Sequence, residues 1–460
     1  MDIFGNQISK KDENKAIKSY KKNKKKFGDK EDKEYHLSLI SNEILSNLYT
    51  YNLILSDKKL KLEVENPVII GNIRMGFGHY RIALAMCSAA KYLNKTPIWM
   101  DLASFGDYPG SKLIAHQNTL YSFGSRLSQK NKLFNKYYWE PLNSVGFAKL
   151  SYNAKDLYNA KFMTQIFNDL DKDIPFVGTH AWTAQVANEA KMTKVVNAIP
   201  DNWPMALHFA PGALHTVQTH SAYLGYRTLR NMGQSNIVNL CDNDIKMVGH
   251  YIDHELVSNI KNDCNQRIKN AKQKTKPVVL LTVGGAGAQV KLYKNIINYL
   301  KDKAIVLINV GDHKNVFNYF INEFKDIERH TSYNEAKNFF VTDNMHIFYN
   351  EDIFSAVYST NILMRLSDLL ITKPSELSFY PIPKLLLKRV GGHEKWGAIH
   401  SSEIGDGTYE CETYEQTINM LKLLIENPEC LINMNTAIIN ANKIGVYDGA
   451  YKVIEEAFAR

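Results

Sequence analysis

Residues 66–93 read NPVIIGNIRMGFGHYRIALAMCSAAKYL, and this stretch indicates how the chain begins to fold. The run PVIIG is typical of a buried parallel strand, and the loop after it contains Gly76 and Gly78. From Ile82 onward, apolar residues recur at helical spacing. A strand, a glycine-containing loop and a helix in this order are typical of the opening of an α/β domain.

The same plan recurs at residues 277–289, PVVLLTVGGAGAQ, where an apolar strand again enters a glycine-rich loop. Gly71 and Gly284 hold similar places in the two openings and lie 213 residues apart, about one doubly wound domain length. Strands alternating with helices predict parallel sheets covered on both faces. We therefore predict an α/β protein with two Rossmann-like doubly wound domains.

The composition shifts of the chain suggest four parts. Residues 1–60 are expected to form a basic helical extension, with weak apolar periodicity around residues 37–55. The predicted domains are an N-terminal one over 61–255, a C-terminal one over 256–412 and C-terminal helices over 413–460, which could pack back on the first domain. The boundary is expected near residues 249–262, where strand signals give way to polar sequence.

The overall composition is that of a globular protein. Of 460 residues, 45% are hydrophobic and 22% are charged, which excludes wholesale disorder. The five cysteines are spaced singly, which argues against a disulfide framework or a cysteine zinc site. Neither a membrane-spanning stretch nor a signal-peptide core is evident, so we expect a cytoplasmic location.

The net charge of +9 is unevenly distributed, because residues 1–34 carry eleven lysines against seven acids, hence +4, while the other 426 residues carry +5. The densest run contains Lys21, Lys22, Lys24, Lys25 and Lys26. A solvated helix face is one explanation, and attraction to anionic lipid at the inner membrane face is another. No aromatic residues interleave with these lysines to stack on bases, so a nucleic-acid partner is not predicted.

The first glycine loop does not match the known phosphate-binding signatures. Gly71 and Gly76 have P-loop spacing, but Phe77 and Gly78 replace the lysine and the Ser/Thr, and the loop is not GxGxxG either. What remains is His79 at the start of a helix, whose amino end favours an anion. The imidazole is a candidate general base, with helix capping as the alternative.

The second glycine loop offers close backbone approach without a titratable side chain. Gly284, Gly285 and Gly287 would let backbone N–H groups contact a phosphate, and the dipole of the following helix would add to the attraction. A turn made only for tight packing of the strand and helix is the alternative.

Four segments in order resemble the GT-B glycosyltransferases, with monogalactosyldiacylglycerol synthases and the peptidoglycan N-acetylglucosaminyltransferase as the most similar families. The segments are GFGHYRIALA, PDNWPMALHFAPGALHTVQTHS, GGAGAQ and DLLITKPSELSFYPIP with GGHEKWGA, between residues 66 and 410. This resemblance implies two domains facing across a cleft, a UDP-sugar donor on the C-terminal domain and transfer with inversion to an acceptor on the N-terminal one.

The resemblance also implies roles for particular residues. His79 matches the family's general-base histidine, in the acceptor and sugar loop with Gly76 and Gly78. Glu376 matches the glutamate that accepts hydrogen bonds from the ribose hydroxyls, and such charged hydrogen bonds contribute roughly 1.5–3 kcal/mol each. The remaining donor-binding positions are Gly284, Gly285, Gly287, Lys373, Ser375, His393 and Glu394.

Each of these assignments has an alternative. Glu376 could only stabilise a helix dipole, and His393 with Glu394 could belong to a solvated loop. The chain also departs from the family, since the run from Asp368 to Glu376 is short and Pro374 and Ser375 replace a glycine-bearing loop. A relative with altered donor use or without catalysis therefore stays an alternative.

A metal is not predicted for the reaction. Two segments, 169–173 and 242–244, have the Asp-x-Asp spelling, but both lie in polar turns, where Asp is favoured for local hydrogen bonds. Helix N-termini and lysines could stabilise the leaving diphosphate instead. Asp201 follows an apolar strand and is a second base candidate, or the partner that orients His79.

The function predicted from these features is transfer of a hexose from a UDP-sugar to an acceptor hydroxyl. The acceptor is expected to be a membrane lipid, because of the basic N-terminal segment and the resemblance to glycolipid synthases. A nucleotide-sugar epimerase or hydrolase on the same fold is the first alternative, and a non-catalytic nucleotide-sugar-binding protein is the second.

Overall fold

A computed structural model describes residues 1–28, 33–59, 62–139, 141–233, 237–284 and 289–460 of the chain. Within these residues the chain forms two α/β domains, each built around one sheet. A short hairpin of β1 (Asp2–Ile3) and β2 (Asn6–Gln7) precedes them.

The N-terminal sheet contains eight strands among the described residues. They are β3 (His36–Ser41), β4 (Tyr51–Ser56), β5 (Pro67–Asn72), β6 (Thr96–Asp101), β7 (Phe176–Gly178), β8 (Val195–Ala198), β9 (Leu214–Val217) and β10 (Ile245–Met247). Their spatial order is β10-β9-β8-β7-β5-β6-β4-β3. β3 and β4 pair antiparallel, and the other neighbours pair in parallel.

The C-terminal sheet contains seven strands in the described part of the chain, all paired in parallel. They are β11 (Val278–Thr282), β12 (Ile305–Asn309), β13 (Glu328–His330), β14 (His346–Phe348), β15 (Leu369–Thr372), β16 (Lys384–Leu387) and β17 (Gly407–Cys411). Their spatial order is β13-β14-β12-β11-β15-β16-β17.

Both faces of the central strands of each sheet are buried, as the continuous apolar strands predict. In β5, Val68 and Ile70 belong to one apolar core, while Ile69 between them belongs to a second core on the other face. In β11, Leu281 and Leu280 likewise belong to different cores. The predicted fold class of two doubly wound domains is therefore confirmed.

Helices cover these sheets. They are α1 (Lys10–Phe27), α2 (Gly78–Tyr92), α3 (Pro109–Lys130), α4 (Lys132–Phe134), α5 (Leu150–Ala160), α6 (Ala181–Glu189), α7 (His220–Arg227), α8 (His254–Gln273), α9 (Val290–Leu300), α10 (Lys314–Glu323), α11 (Tyr333–Lys337), α12 (Ile353–Arg365), α13 (Lys395–Ile404), α14 (Tyr414–Glu426), α15 (Pro428–Lys443) and α16 (Gly449–Ala459). α15 packs against α8, whereas α16 packs against α2 of the N-terminal domain.

The N-terminal segment differs from the predicted helical extension. Residues 10–27 are helical, but the stretch around residues 37–55 forms β3 and β4, and β4 pairs in parallel with β6. In β3, Leu37 is fully buried and the polar Ser38 follows it, which is the alternation of a half-buried strand. The helical prediction for this stretch was wrong because pairing with the sheet edge outweighs a weak helical periodicity.

The chain passes between the domains twice, and the two connections lie side by side. The N–H of His250 donates to the Val446 carbonyl at 2.6 Å, and the N–H of Gly449 donates to the His250 carbonyl at 3.0 Å. Gly249 has a φ of 99°, and a Cβ added there would lie 2.6 Å from the Val446 oxygen. Only glycine fits this crossing without displacing backbone.

Among the described residues, every helix is too short or too polar to cross a bilayer.

A buried ion pair joins the last strands of the C-terminal sheet. Nζ of Lys384 lies 2.6 Å from Oδ1 of Asp406, and both side chains are fully buried. Asp406 also accepts hydrogen bonds from Ser401 Oγ at 2.8 Å and from the Tyr447 hydroxyl at 3.0 Å. A pair of this kind is costly to break, because the remaining charge has no solvent.

We expect Asp406→Ala to lower the free energy of unfolding by about 3–5 kcal/mol, because it leaves the Lys384 ammonium buried and unpaired. Urea unfolding followed by circular dichroism measures this change. The double replacement Lys384→Met with Asp406→Leu should recover part of the loss, since it removes both charges. If Asp406→Ala were as stable as the parent, the pair could not be desolvated as described.

Candidate active site

Loops that leave the carboxyl ends of the parallel strands converge between the two domains, as expected for doubly wound sheets. From the N-terminal sheet come the loops after β5, β7 and β8, and from the C-terminal sheet those after β11, β15 and β16. The side chains on these loops form a cluster of charged and imidazole groups at the domain interface. We refer to the residues His79, His180, Asp201, His208, Lys373, Glu376, His393 and Glu394 as the cleft cluster.

His79 lies in the first turn of α2, next to the end of β7. Its Nδ1 lies 2.7 Å from the carbonyl oxygen of Thr179, the residue that follows β7. A carbonyl only accepts hydrogen bonds, so Nδ1 carries the proton and Nε2 is the nitrogen able to take up another. The ring therefore does not cap its own helix, which was the alternative role, because its partner is the Thr179 carbonyl after β7.

The charges around His79 come from both domains. Burial lowers the pKa of His79, while the Thr179 carbonyl and the Asp201 and Glu376 carboxylates oppose this shift. The ring centres of His79 and His180 lie 4.8 Å apart, and burial places the pKa of His180 well below its ordinary value. Both imidazoles are therefore neutral at neutral pH, which is the state that a general base needs.

Asp201 is held by a histidine that the sequence did not assign to the site. Nε2 of His208 lies 3.0 Å from Oδ2 of Asp201, and the carboxylate keeps about a third of its surface exposed at 33%. Burial alone would raise the pKa of Asp201, but His208 and the neighbouring His393 and His79 hold it well below its usual range. Asp201 is thus an anion within electrostatic reach of His79, and its charge favours protonation of that ring.

Glu376 reaches from the C-terminal domain to the amino end of α2. A Cβ added at Gly78 would lie 3.2 Å from Oε2 of Glu376, so glycine allows this close approach. Oε1 lies 3.5 Å from Nε of Arg81, whose side chain is 5% exposed. That separation is a charge contact rather than a good hydrogen bond. The carboxylate therefore occupies the helix terminus that the sequence predicted to attract an anion.

Arg81 itself inserts into the C-terminal domain. Its Nη1 donates to the Val357 carbonyl at 3.3 Å, and its Nη2 donates to Thr360 Oγ1 at 3.0 Å. Arg81 belongs to α2 and both partners belong to α12, so this one side chain connects the domains. The sequence contained Arg81 two positions after His79, but nothing in the helical periodicity distinguished it from a surface arginine.

Lys373 and Glu394 form an ion pair behind Glu376. Their side chains are in direct contact, and the Glu394 side chain is buried at 6% exposure. Burial disfavours both charges, yet each partner stabilises the other, so the pKa of Lys373 is raised and that of Glu394 is lowered. The second Glu394 oxygen accepts from the N–H groups of Val390 at 2.8 Å and Gly391 at 3.3 Å. Glu394 therefore organises its loop, and the solvated-loop alternative does not hold for it.

The remaining predicted positions surround this ion pair. Ser375 N donates to the Lys373 carbonyl at 2.8 Å, which makes the turn before Glu376 tight. A Cβ on Gly284 would lie 2.9 Å from Cε of Lys373, so the second glycine loop begins directly against this lysine. Gly285 and Gly287 lie outside the described residues. His393 is partly buried and lies close enough to act on the charges of Asp201 and Glu394.

The aspartates with Asp-x-Asp spelling are engaged in turns away from the cleft cluster. Asp169 lies 3.0 Å from Nδ1 of His36, and Asp173 accepts from Thr193 Oγ1 at 2.8 Å. Asp242 forms an ion pair with Arg227. The local turn bonds predicted for the two segments come from Asp171, which accepts from the N–H of Asp173 at 3.0 Å, and from Asp244, which accepts from the N–H of Cys241 at 2.9 Å.

The interface is closed in this conformation. Arg74 after β5 forms an ion pair with Asp312 after β12, and the rings of Trp203 and Trp396 lie 5.1 Å apart across the domains. A cavity of about 370 Å³ lies at the opposite, amino-terminal edge of the C-terminal sheet, near Lys276. A ligand bound among the charges of the cleft cluster would therefore have to separate contacts that now join the domains.

Two family models match the chain. Residues 2–228 match "Domain of unknown function (DUF6937)", and residues 240–458 match "Domain of unknown function (DUF6938)". The chain thus matches the two domains in tandem. No curated protein is significantly similar to it in sequence.

Solved structures with a similar overall fold include an epimerase, a synthase and a complex with UDP and glucose. The UDP-GlcNAc 2-epimerase from Neisseria meningitidis bound to UDP-GlcNAc has 12% identity and a TM-score of 0.45, and the match covers 86% of this chain and 100% of that one. The trehalose-phosphate synthase (UDP-forming) from Burkholderia vietnamiensis has 10% identity and a TM-score of 0.44, with 86% and 98% covered. HepE from Anabaena in complex with UDP and glucose has 11% identity and a TM-score of 0.42, with 86% and 100% covered. At these values the similarities assign no role to any residue of this chain.

Replacing Asp201 with Asn should lower the pKa of His79 further, because it removes a negative charge that favours the protonated ring. Nuclear magnetic resonance titration of the His79 ring protons in the parent and the variant measures the shift. Asp169→Asn removes a carboxylate from His36 instead, so it is the matched control and should leave His79 unchanged. A pKa of His79 that is the same with and without the Asp201 carboxylate would contradict this arrangement.

Proposed function

We propose that the chain is a glycosyltransferase that moves a hexose from a UDP-sugar to an acceptor hydroxyl with inversion. The observation that carries this proposal is the orientation of His79. Its Nδ1 donates a hydrogen bond to the Thr179 carbonyl, and carboxylates of both domains act electrostatically on the ring. A neutral imidazole held in one tautomer beside a domain interface is suited to remove a proton from a bound hydroxyl.

In the proposed reaction, Nε2 of His79 accepts the proton of the acceptor hydroxyl as its oxygen attacks the anomeric carbon. The new carbon–oxygen bond forms on the face opposite the bond to the diphosphate, which breaks and leaves its electron pair on UDP. Asp201 stabilises the imidazolium that forms. The Lys373 ammonium and the amino end of α9 are the groups proposed to stabilise the leaving diphosphate, with no metal required.

We further propose that Glu376 binds the ribose hydroxyls of the donor. Its carboxylate now contacts Arg81 and the amino end of α2, so donor binding would exchange these contacts for hydroxyl donors. An ionised carboxylate only accepts hydrogen bonds and can receive both hydroxyls. The closed interface implies that the domains separate before the donor enters and close again around it.

An epimerase or hydrolase acting on a nucleotide sugar is the second candidate. The cleft cluster holds two groups able to exchange protons, His79 and the His208–Asp201 pair, and an epimerase needs one group on each face of the sugar carbon. Such an enzyme needs no acceptor. Incubation with UDP-GlcNAc alone, followed by product analysis, distinguishes it from a transferase, and UDP binding without turnover of any donor would indicate the non-catalytic alternative.

We expect His79→Ala to reduce turnover by about 10²–10⁴-fold with UDP affinity within a few-fold of the parent, because only the proton acceptor is removed. Glu376→Ala should do the reverse and weaken UDP binding by about tenfold or more. Steady-state kinetics with a UDP-hexose and calorimetric titration with UDP measure the two effects. Glu323→Ala, which breaks a surface ion pair with Lys294, and His36→Ala, which removes an imidazole beside Asp169, are the matched controls. Variants that lost only thermal stability would contradict the assigned roles.

The lipid acceptor is supported by an apolar surface next to the cleft. Large apolar side chains are exposed at Leu120, Phe123, Leu133, Tyr137, Tyr138 and Val145, and Tyr137 is 70% exposed. Tyr121 in the same region packs on Trp139 at 5.2 Å between ring centres and lies within electrostatic reach of Lys373 and Asp201. A contiguous surface of this kind is typical of a membrane or partner contact.

The basic helix α1 lies beside this apolar surface. Lys26 approaches His116 of α3 at 3.5 Å, and Phe27 packs on the same ring at 5.3 Å between centres. The five lysines from 21 to 26 are exposed on this helix. Cations beside exposed aromatic residues suit an anionic membrane surface, where each lysine contributes about 1 kcal/mol. We therefore propose a membrane lipid as the acceptor, in agreement with the resemblance to glycolipid synthases.

In flotation with vesicles that contain phosphatidylglycerol, the chain should rise with the lipid, and the floated fraction should fall with added salt. Replacing Lys21, Lys22, Lys24, Lys25 and Lys26 with Gln should weaken binding by at least about tenfold. Replacing Lys261, Lys269, Lys272, Lys274 and Lys276 with Gln removes the same charge from α8 and the segment after it, so this control should float like the parent. Equal loss in both variants would indicate net charge rather than a membrane-binding surface.

A further inference from the structure

Three side chains with metal-ligand chemistry meet at the edge of the C-terminal sheet. Glu328 and His330 are two residues apart on β13, so they lie on the same face of that strand. His346 begins β14 and is paired directly opposite Glu328 in the parallel register. The sheet therefore brings a carboxylate and two imidazoles to one side of its edge.

The distances between these side chains match those between ligands of one ion. Nε2 of His330 lies 3.2 Å from Nδ1 of His346, and that Nδ1 lies 3.2 Å from Oε2 of Glu328. One such atom from each of the three residues lies within 4.8 Å of the other two. A tetrahedral zinc ion with bonds of about 2.0–2.2 Å separates neighbouring ligand atoms by about 3.3 Å. The ion would thus fit with only small side-chain movement.

The surroundings hold the imidazoles in a ligating orientation. His346 is fully buried, and its Nε2 lies 2.9 Å from Thr342 Oγ1, which fits the tautomer that leaves the Nδ1 lone pair free. The ring of Phe348 stacks on His330 at 4.5 Å between centres, with an angle of 12° between the planes. Asn344 contacts the other oxygen of Glu328. All three ligating side chains are therefore positioned by neighbours that are not ligands.

The charge state of the group also suits a cation. Two neutral imidazoles have lone pairs available, and the carboxylate supplies one negative charge. Without a cation, the two ring nitrogens that face each other can satisfy only one hydrogen bond between them.

We infer that Glu328, His330 and His346 bind a divalent transition-metal ion, with zinc as the ion whose ligand preference and bond lengths fit best. The ion would join the edge strand β13 to β14, and a water molecule would complete its coordination. The strands β14 and β12 separate β13 from β11, so this site is distinct from the cleft cluster. Its role is to hold the sheet edge together and is independent of the proposed transfer reaction.

The test uses the full chain without a histidine tag and with Cys241→Ser, because Cys241 is an exposed thiol that can bind zinc. After removal of metal with a chelator, calorimetric titration with zinc chloride should show one bound equivalent, and the ion should raise the melting temperature. His330→Ala and Glu328→Gln should each weaken zinc binding by at least about 100-fold, since even indirect partners of metal ligands contribute 10–100-fold.

His36→Gln is the matched control, because His36 also lies beside carboxylates. It contacts Asp169 through Nδ1 at 3.0 Å and Glu34 through Nε2 at 3.7 Å, so the two carboxylates face different ring nitrogens and cannot share one ion with it. This variant should bind zinc like the parent. Failure of the parent to bind one equivalent, or equal affinity in the parent, His330→Ala and Glu328→Gln, would overturn the inference.

Discussion

The arrangement of the site depends on the contacts that the buried guanidinium of Arg81 makes with the C-terminal domain. A cation with 5% exposure depends on protein groups, and here the Val357 carbonyl and Thr360 Oγ1 accept its hydrogen bonds while the Glu376 carboxylate supplies an opposite charge. Because Arg81 lies two residues after His79 on α2, its anchoring fixes the position of that helix start relative to the C-terminal domain. Removing the guanidinium would leave Glu376 as an unpaired carboxylate at a closed interface.

The closed conformation satisfies the site with the charges of the protein itself. Glu376 lies against Gly78 at the amino end of α2, and Lys373 is paired with Glu394. These are the same groups that we propose for the ribose and the diphosphate of a donor. A nucleotide sugar would therefore replace internal charge contacts, and its affinity would be reduced by the energy of the contacts that it displaces.

The repeated strand, glycine loop and helix predicted the two domains, because both signals are local and continuous in the sequence. The position of His79 was predictable for the same reason, since a loop after a buried strand leads to the sheet edge. The partners of the site residues were not predictable. Thr179 and His208 come from other loops of the same domain. They reach the site through the register between parallel strands, and the sequence of one segment does not reveal that register. The stretch around residues 37–55 was assigned to a helix because its strand character depends on pairing with β6.

The two side-by-side chain crossings limit how the domains can move. The first crossing carries Gly249 and His250, the second carries Val446 and Gly449, and hydrogen bonds at 2.6 and 3.0 Å tie them together. Two connections joined by hydrogen bonds cannot slide or twist independently of each other. The domain motion that costs least is therefore rotation about an axis through both connections. The two domains should thus open by rotation about a single hinge. The helix α16 packs on the N-terminal domain and should move with it, although it is formed by the end of the chain.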